Sequence, residues 1–155
     1  QTIRNLRDCG VFATLSDSEL EKVAASVLEK EYEAGTTIFH EGDSADELLV
    51  LQEGKVALQM TLLKEHGQTG RRVTVDIVTT NEVIGWSSIV EPYVYTLTAI
   101  CLQRVRVLSV SGNKLRWLLQ NDYKIGYKVL NRLVNVIAAR LHDTRQVLVS
   151  ERSLP

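Results

Sequence analysis

The stretch Tyr32-Glu33-Ala34-Gly35-x-x-Ile38-Phe39-x-Glu41-Gly42-Asp43-x-Ala45-Asp46-x-Leu48-x-Val50-Leu51-x-x-Gly54-x-Val56 decides the fold. Its glycines mark places where the chain needs a positive φ or a close backbone approach. Gly42-Asp43 and Glu53-Gly54 suit tight turns between strands. The run Leu48-Leu49-Val50-Leu51 is continuous rather than alternating, so this strand is expected to be buried on both faces. Working outward, β-rich runs are expected at Thr36–Glu41, Leu48–Gln52, Val56–Leu63, Val73–Thr79, Thr96–Leu102 and Val105–Val110, with turn residues from Gly67 to Gly70. Many short strands at close spacing predict a small barrel, roll or sandwich.

Helical periodicity flanks the strands on both sides. A short helix is expected around Ile3 to Cys9, ending at Gly10. Ser16-Asp17-Ser18-Glu19 has capping-box spacing, and Leu20, Val23, Ala24 and Val27 follow at helical intervals. After the strands, Ser111 is placed to cap a short helix through Leu115, Leu118 and Leu119, and Asp122 a long one reaching Val149. The chain reads as a single α+β domain over 1–155, with N-terminal helices in 1–28, a β-roll in 29–110 and C-terminal helices in 111–149. Too few residues follow Leu148 for a recognition helix, so no direct nucleic-acid contact is expected within this chain.

Composition narrows the function. In 155 residues, 18 Lys and Arg stand against 19 Asp and Glu, a net charge of −1. That balance argues against a binder driven by phosphate neutralisation. No apolar run approaches a membrane span. Two cysteines, Cys9 and Cys101, are too few for a disulfide scaffold or a zinc site, and both are expected to be inert core thiols in a cytoplasmic protein. The three histidines, His40, His66 and His142, are scattered, which argues against a metal-dependent jelly-roll enzyme. No nucleophile–base pair is visible, so no catalytic or metal-ligating residues are assigned and no enzymatic activity is expected.

The glycine run, the capped N-terminal helix, Glu82-Val83-Ile84-Gly85 and the terminal helix pair together resemble the cyclic nucleotide-binding domain family. The resemblance covers essentially the whole chain. It implies a double-stranded β-helix, a jelly-roll-like β-roll, with helices at both ends and the last one long. It also implies a small-molecule ligand, a cyclic nucleotide or another, held by a phosphate cassette. In the family that cassette is a Gly-Glu pair opening a short helix, followed some nine residues later by an Arg. The helix start offers N–H groups to the phosphate, the Glu accepts from the ribose and the Arg neutralises the anion.

Here the cassette runs from Gly85 to Ala99, and both charged anchors are missing. Trp86 stands at the Glu position, and Tyr93 or Val94 at the Arg position. No Lys or Arg occurs from Val83 to Gln103. Ser87 and Ser88 are expected to expose amides and hydroxyls at the helix start, and Pro92 to stop the helix. Arg71 or Arg72 is the candidate substitute cation. The candidate ligand residues are Gly85, Trp86, Ser87, Ser88, Tyr93, Tyr95, Thr96 and, by the resemblance, Thr144 as the nucleobase contact. Tight binding of cyclic AMP or cyclic GMP is not expected.

On the last helix Tyr127, Leu130, Val134, Ile137, Leu141, Thr144 and Leu148 alternate spacings of three and four, a heptad stripe. Val129, Leu133 and Val136 form a second row. One row is expected to pack on the roll and the other to face a partner. In the catabolite-activator branch of the family the matching helix forms the dimer seam, so a homodimer is expected here. Gly126, in the first turn, costs up to about 1 kcal/mol against alanine. It is expected either to permit close approach of the roll or to be merely tolerated.

Overall fold

The computed structural model describes residues 2–62 and 70–152. Leu63, His66 and Gly67, which figure in the expectations above, lie outside the described residues, as do residues 153–155. Two short helices, α1 (Thr2–Asp8) and α2 (Asp17–Ala24), precede eight strands. The strands are β1 (Val27–Tyr32), β2 (Thr37–Phe39), β3 (Glu47–Glu53), β4 (Val56–Thr61), β5 (Arg72–Val78), β6 (Val83–Ile84), β7 (Thr98–Cys101) and β8 (Val105–Ser111). Helices α3 (Gly112–Asn121) and α4 (Tyr123–Arg152) close the chain. The strands form two antiparallel four-stranded sheets, β1-β8-β3-β6 and β2-β7-β4-β5, facing each other as a roll.

Local signals explain where elements begin. Ser16 Oγ accepts from Glu19 N–H at 3.3 Å while Glu19 Oε1 accepts from Ser16 N–H at 2.9 Å, the reciprocal pair of a capping box. Ser111 Oγ accepts from Lys114 N–H, and Asp122 Oδ1 from Ile125 N–H. Gly35, Gly42, Gly54 and Gly85 all have positive φ. One expectation fails at the end of α2. The helix stops at Ala24, and Val27 is the first residue of β1, paired with Val110. The free edge of β8 supplies a full ladder of backbone partners to residues 27–32, and that outweighs one further helical turn.

The core is double. Leu48 and Val50 on β3, with Leu108 and Val110 on β8, face a helical layer that includes Phe12, Leu20, Leu115 and Val129. Leu49 and Leu51, with Val105 and Val107, face the roll interior beside Phe39, Val56 and Tyr95. The unbroken Leu48–Leu51 run is thus buried on both faces. Cys9 and Cys101 are buried free thiols, and burial raises the pKa of each. Among the described residues no helix is long and apolar enough to cross a membrane.

Helix α4 is tied to the N-terminal helices at its start. Val129 and Leu133 are fully or almost fully buried. Lys128 Nζ donates to Glu19 Oε1 at 2.7 Å, and this bond, with the Ser16 amide, holds the Glu19 carboxyl down to about 2. Arg132 Nε donates to Gly10 O at 2.8 Å. Gly126 does not receive the roll. A Cβ there would lie 2.5 Å from Leu119 O, so the close approach it permits is that of α3.

Candidate functional site

The cassette opens after β6. Gly85, at φ +81°, caps a single 3-10 turn, Trp86–Ser88. A side chain at Gly85 would meet Glu47 O at 2.9 Å and Tyr95 Cε1 at 3.0 Å, so only glycine lets β6 turn here. The turn is too short to present the expected row of amides, and it ends before Pro92. Tyr95 forms the floor. Its ring stacks on Phe39 with centroids 3.7 Å apart and planes within 8°. Its hydroxyl donates to Glu47 O at 2.8 Å and accepts from Glu47 N–H at 3.1 Å. Burial pushes this phenol up to about 12.

A cavity of about 410 Å³ lies between the cassette, the β2-β7-β4-β5 sheet and the second half of α4. Of the expected ligand residues, Gly85, Trp86, Ser87, Tyr95, Thr96 and Thr144 line it. Trp86 therefore lines the space and does not plug it. Ser88 and Tyr93 are not brought there. Ser88 is fully buried, its hydroxyl without a hydrogen-bond partner. Tyr93 lies outside, facing α3. Thr144 stands at the rim, where its hydroxyl donates back to Arg140 O at 2.9 Å. A larger groove of about 640 Å³ lies between α2 and α3, around Lys22, Leu115 and Trp117, and holds none of the expected residues.

The cavity does contain a guanidinium, and it comes from neither Arg71 nor Arg72. Arg140 of α4 lines the space, with its side chain 18% exposed. Its Nη2 donates to Val83 O at 3.0 Å. It pairs with Asp76 at 3.8 Å and Glu82 at 3.6 Å. Its plane lies 4.6 Å above the Trp86 ring. On the other flank, Arg116 of α3 donates to Ser88 O and sits 4.3 Å over the Tyr93 ring. Trp86, at the family's Glu position, and Tyr93, one of the two candidates for its Arg position, thus each carry an arginine, one from each C-terminal helix. Sequence reasoning missed both. The one available signal was that Arg140 falls three residues after Ile137 and four before Thr144, on the face of α4 that closes the cavity.

Beyond Arg140 every described residue of α4 is exposed. The two apolar rows also part company. Val129 and Leu133 are buried, whereas Tyr127, Leu130, Val134, Leu141 and Leu148 lie open, with exposures from 43% to 72%.

Comparison with known proteins matches the cyclic nucleotide-binding domain model to residues 29–122. A solved structure from Geobacter metallireducens, provisionally assigned to cyclic-nucleotide binding, is 32% identical with a TM-score of 0.79, covering 92% of this chain and 99% of its own. The N-terminal domain of a transcriptional regulator from Streptomyces coelicolor is 31% identical with a TM-score of 0.69, covering 92% and 94%. A CRP-like cAMP-activated global transcriptional regulator of Mycobacterium tuberculosis is 25% identical over 92% of this chain. The chain spans 60% of the length of that curated relative.

Proposed function

The chain belongs to the cyclic nucleotide-binding domain family, and from that premise we propose that it acts as a non-enzymatic sensor whose cavity guest repositions α4. The observation that carries this reading is Arg140. The residue that bounds the cavity on one side also ties α4 to the roll through Val83 O, and every described residue of α4 beyond it is exposed. A guest that touches Arg140, Leu141 or Thr144 therefore has a different affinity for the docked and the shifted helix. That difference is all a population shift requires.

The guest is not a typical cyclic nucleotide. Arg140 already serves Asp76, Glu82 and Val83 O. An anion beside Asp76 meets a like charge, softened by solvent because that carboxylate is more than one-third exposed. The absent charge-assisted bond forfeits about 1.5–3 kcal/mol. The lost bond alone removes about one to two decades of affinity. Calorimetric titration with cyclic AMP and cyclic GMP is expected to show no saturation below about 100 μM; a micromolar Kd for either overturns this part of the reading.

The exposed row Tyr127, Leu130, Val134, Leu141 and Leu148 supports the homodimer expected from the heptad spacing. Ile137, Leu141 and Thr144 of the same stripe also line the cavity, so its inner edge and the seam adjoin. Sedimentation equilibrium is expected to report a dimer at tens of micromolar and a monomer for Val134→Glu. A wild-type monomer at that concentration removes the seam from the mechanism.

A further inference from the structure

We infer that Asp76 and Glu82 set the charge specificity of the cavity. By holding Arg140 they exclude anions and reserve the space for uncharged, flat, mainly apolar molecules. The inference rests on the cavity being the ligand site. Among the described residues, Arg140 and Asp76 are the only charged ones that line it, and Glu82 pairs with Arg140 from beside it. Two carboxylates thus share one guanidinium, and the local balance is negative before any guest arrives. The carboxylate side chains are 41% and 44% exposed, outside an Arg140 that is 18% exposed. They keep their own hydration while denying a deeper anion its partner. Arg140 is also engaged on two further sides. One edge donates to Val83 O, and one face covers Trp86.

The position of Asp76 is built into the strand. Leu58 pairs with Asp76 but Gln59 pairs with Thr74, so Val75 is an extra residue. Such a bulge redirects the side chains beside it, and Asp76 reaches α4. The remaining walls are Leu58, Met60, Val75, Leu97, Ile137 and Leu141, over the stacked Phe39–Tyr95 floor. Such walls suit a planar ring system, with Ser87 and Thr96 available to a single polar substituent.

The test uses two probes with one ring system, neutral 2-naphthol and anionic 2-naphthoate, titrated against the whole chain. Binding is followed at the Trp86 indole N–H in NMR spectra, with the Trp117 indole as the internal control for binding in the α2–α3 groove. In the wild type, naphthol is expected to bind about tenfold tighter than naphthoate. In Asp76→Asn/Glu82→Gln the naphthoate affinity is expected to rise about tenfold while naphthol changes less than about threefold, and adding Arg140→Gln is expected to erase the gain. The wild-type comparison needs no variant to fold. Equal binding of both probes to the wild type overturns the charge filter and leaves the cavity reading standing. A naphthoate gain that survives Arg140→Gln overturns the role of the arginine. Failure of both probes to move Trp86 in any protein overturns the cavity reading and this inference with it.

Discussion

Replacing Gly126 by valine is expected to destabilise the domain by about 3 kcal/mol, although helix propensity alone favours the change. Alanine in a helix interior is better than glycine by about 1 kcal/mol. Against that gain stands a backbone contact. Helices α3 and α4 are joined through Asp122 alone, and a Cβ at Gly126 would fall 2.5 Å from Leu119 O. A carbonyl oxygen in the last turn of a helix cannot swing aside like a side chain. Overpacking of this kind costs about 1–3 kcal/mol, occasionally more. Alanine should therefore be close to neutral or mildly destabilising, and valine, with two further methyl groups against α3, clearly so. Urea unfolding of the two variants checks this, with Gly10→Ala as the control, because a Cβ at Gly10 meets only side chains, Val136 Cγ2 at 3.4 Å and Arg132 Nη2 at 3.9 Å. A valine variant within about 0.5 kcal/mol of wild type overturns the account. The effect reaches the cavity. Arg140 lies fourteen residues beyond Gly126, about 21 Å along the helix, so a tilt of roughly 6° at the α3–α4 crossing displaces it by about 2 Å.

Which features were legible in the sequence follows from whether their cause is local. Turns at Gly42 and Gly54, the caps at Ser16, Ser111 and Asp122, and the two-sided burial of Leu48–Leu51 each depend on residues a few positions apart, and each is visible in the chain. Strand β1 is different. Leu28 is 64% exposed and Glu29, Lys30 and Glu31 show no apolar alternation. It is a strand because β8, 73 or more residues away in sequence, offers it an edge. The same distinction runs through the site. Gly85, Trp86, Ser87, Tyr95 and Thr96 share one loop and are gathered by it. The absence of Lys and Arg from that loop was legible, but it describes the loop and not the cavity. The guanidiniums arrive from α3 and α4, and no short-range pattern states that these helices return to the cassette. Ser88 and Tyr93 were misplaced for a related reason. The turn closes after a single 3-10 repeat, which points Ser88 into the helical core and leaves Tyr93 under Arg116.

The coupling of cavity to helix makes its strongest claim at Arg140 itself. In Arg140→Leu the apolar bulk of the side chain is kept while its polar contacts are removed. The donor to Val83 O is worth about 1.5–3 kcal/mol as a charged hydrogen bond, and the stacking on Trp86 about 0.5–2 kcal/mol. The pairs with Asp76 and Glu82 add little, because both carboxylates are more than one-third exposed and solvent screens them. The loss is expected to be about 2–4 kcal/mol, felt first as undocking of the helix end. Beyond Ile137, Arg140 ties α4 to the roll through Val83 O, and every described residue from Leu141 onward is exposed. An isolated helical segment of that length is marginal in water. Amide exchange should therefore accelerate about 30-fold or more in residues 138–152, with little change at Val129 and Leu133, which remain buried against the N-terminal helices. Trp86, stripped of its guanidinium, should change its emission in step. Arg145→Gln, one turn further along the exposed part of the helix, should reproduce neither effect. If the exchange pattern along α4 is the same with leucine as with arginine at position 140, the helix is held by its first half alone, and a guest in the cavity has no lever on it.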